Sequence, residues 1–299
     1  MDVVLALGGG GVKCFAQLGA LLAFERAGLR VRAVAATSAG GLVGAGFAAG
    51  HDVPSLIDEL AAAQLSARFR RARRGEALLD ARAAHRVIHT LFGTRTFAEL
   101  DVPLALTAVD LDSGARHVLH SGAVAPALRA AIAIPGLFPP ETLHGRRLID
   151  GGAIDPVPVR AARRLAPGLP VVAVVLTPRP AGNARHPAAA RLDGLPAARL
   201  FRRLRLVRAF EVFVRAADIS HRALLESRLT LDQPEIIVRP NVAHLDLFGR
   251  VDALAVVAEG ERAAAAVLRD EARHVAWSSP AAAARRKRAT ASATGTPAL

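Results

Sequence analysis

The residues best equipped for chemistry are a serine and a run of glycines. "ALGGGGVKCF", residues 6–15, places four consecutive glycines after an apolar run that begins at residue 2. Glycine loses more conformational freedom on folding than any other residue. Four together point to backbone N–H groups kept open for something negatively charged. "AATSAGGLVGAG", from Ala35, sets Ser38 between the apolar run Val31–Ala36 and a stretch of small residues. That is the layout of a nucleophile elbow, a sharp strand-to-helix turn that holds a serine Oγ clear of the sheet. Such a turn needs small neighbours, and Ala36, Gly40, Gly41 and Gly44 supply them. A helix N-terminus aimed at Ser38 would also favour the negative charge that develops in acyl transfer.

A serine nucleophile needs a base. In a Ser-His-Asp arrangement the base would be a histidine near the C-terminus, and His244 and His274 are the candidates there. "LIDGG" offers Asp150 instead, at a strand end before Gly151 and Gly152. If the sheet is parallel, that strand end lies on the same side as Ser38. A carboxylate is a weak base in water, so this pairing requires a partly dry site. D-G-G is also an ordinary turn, and the residues alone leave both bases open. In either case the amides of Gly9, Gly10 and Gly11 are suited to form an oxyanion hole. Two other anion-binding motifs do not fit. Lys13 or Cys14 falls where a dinucleotide fingerprint needs its third glycine, and Lys13 lacks the flanking Gly and Ser/Thr of a Walker loop.

The elements that must position these groups alternate. Val3–Leu7 is a continuous apolar run, as expected of a strand covered on both faces. Phe15, Leu18 and Leu22 then recur at helical spacing, Gly28 ends that helix, and Val31–Ala36 and Gly41–Ala49 repeat the pattern. This β-α-β-α opening predicts a mostly parallel sheet with helices on its faces. Further helices are expected at Pro54–Leu65, Ala81–Phe92, Pro126–Ile134, Val159–Leu165, Leu200–Leu229 and Val251–Leu268. Strands are expected at Pro103–Val109, Arg116–His120, Arg147–Ile149, Val171–Leu176 and Ile236–Val238. "DLDSG" reads as a turn shaped by Asp110 and Asp112. His117 and His120 alternate on a strand and are not read as metal ligands. Residues 178–198 read as a mobile Pro/Gly/Ala loop, and residues 278–299 as a disordered Ala/Arg tail beyond one domain of residues 1–277.

Composition narrows the function classes. The chain has 299 residues, 52% hydrophobic and 22% charged, a globular balance. Its net charge of +13 suits an anionic partner or simply an Ala/Arg-rich composition. With no Tyr and one Trp it has few platforms for stacking bases, so no nucleic-acid partner is expected. The single cysteine, Cys14, allows no internal disulfide, reads as a small buried hydrophobe, and fits a reducing, cytoplasmic setting. No signal peptide is read at the start of the chain, and the uncharged stretch Ala33–Gly50 reads as strand, turn and helix rather than a membrane span. The basic stretches Arg68–Gly75 and Leu200–Leu229 have two readings. Either they rest peripherally on an anionic membrane face, or they form solvated faces of packed elements.

The stretches "GGGGVKCFAQLGALLAFERAG", "ATSAGGLVGAGFAAG", "VPLALTAVDLDSG", "ALRAAIAIPGLFPP" and "LIDGGAIDPVPV" resemble, in order and spacing, the patatin-like phospholipase family. Within it they are similar to the bacterial branch related to the neuropathy-target-esterase catalytic domain, over roughly residues 3–270. The resemblance implies a three-layer α/β/α sandwich and a serine–aspartate lipid acyl hydrolase that needs no metal or organic cofactor. By position, Ser38 matches the nucleophile, Asp150 the base, and Gly9, Gly10 and Gly11 the oxyanion loop. Lys13 matches the basic residue after that loop, where it would touch a substrate phosphate or support the loop; Gly40, Gly151 and Gly152 would support the elbow and the base turn. The implied partner is a lipid or phospholipid ester. Three positions depart from the pattern: Ala36 for the elbow glycine, Cys14 for a common glycine, and Asp155 where the family often has Asn. The alternatives kept beside this reading are a triad esterase using His244 and a non-catalytic lipid-binding protein that retains the fold.

Overall fold

A computed structural model describes residues 1–66, 79–179 and 205–274. The basic stretch Arg68–Gly75, nearly all of 178–198, and the tail from 278 lie outside them. So does the start of the predicted helix Leu200–Leu229.

The strand β1 (Asp2–Leu7) sets the layering. Val3, Leu5 and Leu7 enter one core, while Val4 and Ala6 enter a second core on the opposite face. Side chains alternate across a strand, so apolar residues at successive positions mean both faces are covered. The same alternation holds for β2 (Arg30–Ala36) and β7 (Val171–Val174).

The larger core is roofed by α1 (Phe15–Arg26), α2 (Ala39–Ala48), α3 (Val53–Ser66), α4 (Arg82–Phe92), α5 (Val124–Ala131) and α8 (Ala253–His274). The opposite core is covered by α6 (Val159–Leu165) and by Leu225 and Leu229 of α7 (Arg205–Asp232). The result is a three-layer α/β/α sandwich. α1 and α8 cross at backbone contact: a side chain on Gly19 would strike the Val257 carbonyl, and one on Gly260 would strike the Ala16 carbonyl.

The sheet also contains β3 (Leu104–Asp110), β4 (Arg116–Leu119), β5 (Glu141–Leu143), β6 (Arg146–Asp150) and β8 (Ile236–Val238). The pairs β1–β2, β1–β7, β2–β3 and β7–β8 are parallel; β3–β4, β3–β6 and β5–β6 are antiparallel. β5 was not anticipated. It forms a hairpin with β6 across the two-residue turn His144–Gly145, both at positive φ (51° and 73°), the primed geometry that matches strand twist.

The register around β3 differs from the simple parallel picture. Leu106 pairs with Ala36 of β2 and with Leu119 of β4. Ala108 pairs with His117 of β4 and with Asp150 of β6. Because β4 occupies one edge of β3 from Leu106 to Val109, β2 and β6 must share the other edge. They run in opposite directions along it and meet end to end, with Thr107 as the rung between them.

Candidate active site

That end-to-end meeting brings Ser38 and Asp150 together. The expectation that Asp150 lies at a parallel strand end is corrected, since β6 is antiparallel to β3. Asp150 is level with Ala108, and Ser38, two residues beyond Ala36, reaches the same level from the opposite direction.

Ser38 is buried at 7% exposure and holds φ 55°, ψ −134° at the mouth of α2. Positive φ is rare for a residue with a side chain and is tolerated where surrounding contacts enforce it. Here α2 begins at once, with the Gly40 and Gly41 amides donating to the Thr37 and Ser38 carbonyls at 3.1 and 2.8 Å. Gly40 lies against the end of β1: a Cβ there would come within 2.7 Å of the Gly8 carbonyl oxygen. Ala36 fits in place of the elbow glycine because Gly44 faces it, and even a methyl on Gly44 would approach the Ala36 Cβ to 3.3 Å.

The glycine loop wraps the serine. A Cβ on Gly9 would lie 3.0 Å from the Ser38 Cβ and 3.6 Å from its Oγ. The Gly9 amide, however, donates to the Pro156 carbonyl at 3.2 Å. The expected set of three free amides is corrected accordingly. Among the described residues, the Gly10 and Gly11 amides have no partner, nor does that of Ala39, the first residue of α2. Ala39 was not singled out from the sequence, although the residue after an elbow nucleophile commonly supplies such a donor. Gly11 sits at φ +57°, and a side chain there would collide with the Leu247 carbonyl. That same carbonyl accepts from the Val12 amide at 3.0 Å. The Gln17 amide nitrogen donates to the Gly8 carbonyl at 2.7 Å and ties the start of the loop to α1.

Asp150 is 4% exposed, and burial pushes its carboxyl from the ordinary carboxylate range up to about 6. The neighbouring Ser38 hydroxyl and the Gly152 amide, which donates to Oδ1 at 2.8 Å, act the other way. Gly151 packs on Thr107, whose carbonyl oxygen lies 2.6 Å from where a Cβ would be. Thr37 Oγ1 donates to the Asp155 carbonyl at 2.9 Å and meets Thr107 Oγ1 at 2.6 Å. Asp155, fully buried, pairs with Arg116 of β4 at 2.6 Å. The departure from Asn at this position thus has a partner: a cation reached across the sheet.

Lys13 is 9% exposed, and its backbone amide donates to the Gly10 carbonyl at 3.2 Å. Burial, and then the nearby Arg222 guanidinium, make its ammonium easier to deprotonate, while Asp218 and Asp246 oppose this. Cys14 is buried, with its thiol pushed up to about 12 by desolvation, consistent with a packing role. Asp110 caps its turn by accepting from the Asp112 and Ser113 amides at 3.0 and 3.3 Å.

His244 is exposed in the segment between β8 and α8, whereas the Ser38 hydroxyl faces Asp150. The side chain of His274 lies outside the described residues. A histidine not anticipated, His221 of α7, sits over the base turn: its Cε1 lies 3.8 Å from the Cβ position of Gly152, and the Gly152 backbone favours the protonated ring. Beside the glycine loop, Leu247 and Phe248 remain 48% and 36% exposed, and the Phe248 ring meets Phe138 edge-to-face at 6.3 Å. Among the described residues no group of His, Cys, Asp and Glu is arranged to hold a metal ion.

The arrangement can do one kind of chemistry directly. A strained hydroxyl faces a desolvated carboxylate beside unpaired amides, which is what nucleophilic attack on a carbonyl requires.

A family model described as patatin-like phospholipase matches residues 5–163. The chain is similar, at 33% identity over 191 residues, to an uncharacterized NTE family protein of Mycobacterium bovis, covering 61% of this chain and 51% of that one. It is similar at 29% identity over 180 residues to patatin-like phospholipase domain-containing protein 6 of Homo sapiens, covering 54% and 12%. To lysophospholipase NTE1 of Debaryomyces hansenii it is 25% identical over 169 residues, covering 54% and 11%. The chain therefore spans about half of the length of the mycobacterial relative and a small part of the others. The crystal structure of VipD from Legionella pneumophila aligns with a TM-score of 0.48 at 13% identity, covering 90% of this chain and 66% of that one.

Proposed function

The chain belongs to the patatin-like phospholipase family, and from that premise we propose that it hydrolyses carboxylic esters of lipids through Ser38 and Asp150. Ser38 Oγ attacks the ester carbonyl carbon while the Asp150 carboxylate takes its proton. The carbonyl oxygen becomes an oxyanion held by the Gly10, Gly11 and Ala39 amides. Collapse breaks the ester C–O bond, Asp150 returns the proton to the departing alcohol, and Ser38 keeps the acyl group. Asp150 then takes a proton from water, whose oxygen attacks the acyl carbon, and a second collapse frees the fatty acid and restores Ser38.

The observation that carries this reading is the buried Asp150 carboxyl facing the Ser38 hydroxyl, with its proton affinity raised to about 6 by desolvation. A base whose pKa lies near working pH combines a deprotonated ground state with a useful pull on the proton. Gly9 contributes by allowing the serine to approach. Lys13, buried at the end of the glycine loop, is read as a support of that loop or a contact for an anionic headgroup. Exposed Leu247 and Phe248 beside the glycine loop suit an acyl chain, and the net charge of +13 suits peripheral contact with an anionic lipid surface. Among the described residues no helix is long and apolar enough to cross a membrane.

The test is fluorophosphonate labelling together with hydrolysis of a chain-length series of esters and phospholipids. Wild type should label, and Ser38→Ala should not. Asp150→Asn should lower kcat by about 10²–10⁴-fold. The wild-type rate should fall tenfold per pH unit below about pH 6, as Asp150 becomes protonated. Loss on His244→Ala with retention on Asp150→Ala would favour the triad. A folded wild type that never labels would favour a non-catalytic lipid binder.

A further inference from the structure

The turn Asp150–Gly151–Gly152 must present one oxygen to Ser38 while holding the other still. Its restraint is the Gly152 amide on Asp150 Oδ1, at 2.8 Å. A glycine has no side chain to anchor its own peptide planes. Something else must keep that N–H on the carboxylate.

The neighbourhood of Gly152 shows what does. Around the point a Cβ would occupy lie Asp150 Oδ1 at 3.1 Å, Thr37 Cγ2 at 3.7 Å and His221 Cε1 at 3.8 Å. The Gly152 amide is committed to Asp150, and the His221 ring lies against the same residue, whose backbone favours the protonated imidazole. One residue is clamped from both sides, by its own turn and by α7. The charged groups around the imidazole are Asp218, one turn earlier on α7, Arg222, next along the helix, and Asp150 across the turn.

We propose that His221 is a positioning residue for the Asp150 base, fixing Gly152 so that its amide stays on the carboxylate. The proposal rests on the function assigned to Ser38 and Asp150. It deepens that function by giving α7 a part in the chemistry. Without the ring N–H, the Gly152 peptide is free to swing, the carboxylate loses a hydrogen bond that favours its charged form, and its aim at Ser38 loosens. Burial holds the imidazole below the ordinary histidine range, so it acts mainly as a neutral donor, and its loss raises the Asp150 pKa through the weakened hydrogen bond.

Two variants separate a donor role from packing. His221→Phe keeps a planar ring and loses the donor; His221→Gln keeps an N–H of similar reach. Each is checked by its melting temperature and assayed on a soluble short-chain p-nitrophenyl ester. The Asp150 carboxyl is titrated by ¹³C NMR in the same proteins. With Phe, kcat should fall about 10–100-fold, the scale of a small misplacement of a reacting group. KM should hold within about twofold, and the Asp150 titration should move above its wild-type midpoint. Gln should restore most of the rate and the midpoint. Phe leaving both rate and midpoint unchanged overturns the proposal, as does Gln losing rate equally with an unmoved midpoint. If folded wild type neither labels nor hydrolyses, the assigned function fails, and the NMR comparison alone decides the part played by His221.

Discussion

Asp150 works against the fold that houses it. Its carboxyl is pushed from 3.8 up to about 6 in the native state, so between those values the folded chain binds more protons than the unfolded one. Stability therefore falls as pH rises through that window, by about 3 kcal/mol once the group is fully ionised. Asp150→Asn keeps an acceptor for the Gly152 amide and removes the buried charge. It should melt higher than wild type at pH 8 and show little difference near pH 4, and calorimetry at the two pH values checks this. A variant that is both inactive and more stable is what a strained, desolvated site predicts. At this scale Ser38 and Asp150 were readable, because small residues must flank an elbow and a D-G-G turn offers a carboxylate at a strand end. The engagement of Gly9 with Pro156 was not readable, since that bond joins segments far apart in sequence. His221 was hidden inside a long helix rich in charge, where one histidine carries no local signal.

Among the elements, β4 and the segment after the base turn are joined by Arg116 and Asp155, 19% and 1% exposed at their side chains. Burial pushes the Asp155 carboxyl up while Arg116 pulls it down, and its Oδ1 has no hydrogen-bond partner among the described residues. Removing one member of a buried pair leaves an unpaired charge and typically costs 3–5 kcal/mol. Arg116→Met should thus destabilise by about 3 kcal/mol in a urea titration, whereas the double replacement Arg116→Met with Asp155→Asn should recover much of that loss. The β-α-β-α opening and the limits of α6 and β8 were legible from periodicity and turn residues. The β5–β6 hairpin was not, because three residues after a proline pair make a weak strand pattern and His144–Gly145 is not the usual Asn-Gly turn. Missing the hairpin hid the antiparallel run of β6, and with it the reason the serine and carboxylate meet.

Across the whole molecule, the positive charge outlasts its internal pairings: Arg26, Arg30 and Arg82 are ion-paired yet largely exposed at their side chains. Surface cations lower the free energy of approach to anionic lipid over about a Debye length. Co-sedimentation should show binding to vesicles containing phosphatidylglycerol at low salt, release at high salt, and little binding to phosphatidylcholine alone. Equal binding to both would mean the charge is compositional. The family was readable from five stretches in order, while the size of the relatives, several of them far longer than this chain, was not.

The strand ends that converge on Thr107 have an evolutionary corollary. The distance between Ser38 and Asp150 is gauged along β3, which works as a ruler, and not along the polypeptide that links them. Segments inserted between α2 and β3, or between β4 and β5, can lengthen or shorten without disturbing the pairing of Ser38 with Asp150. A one-residue deletion inside β3 would carry the two groups out of step at once.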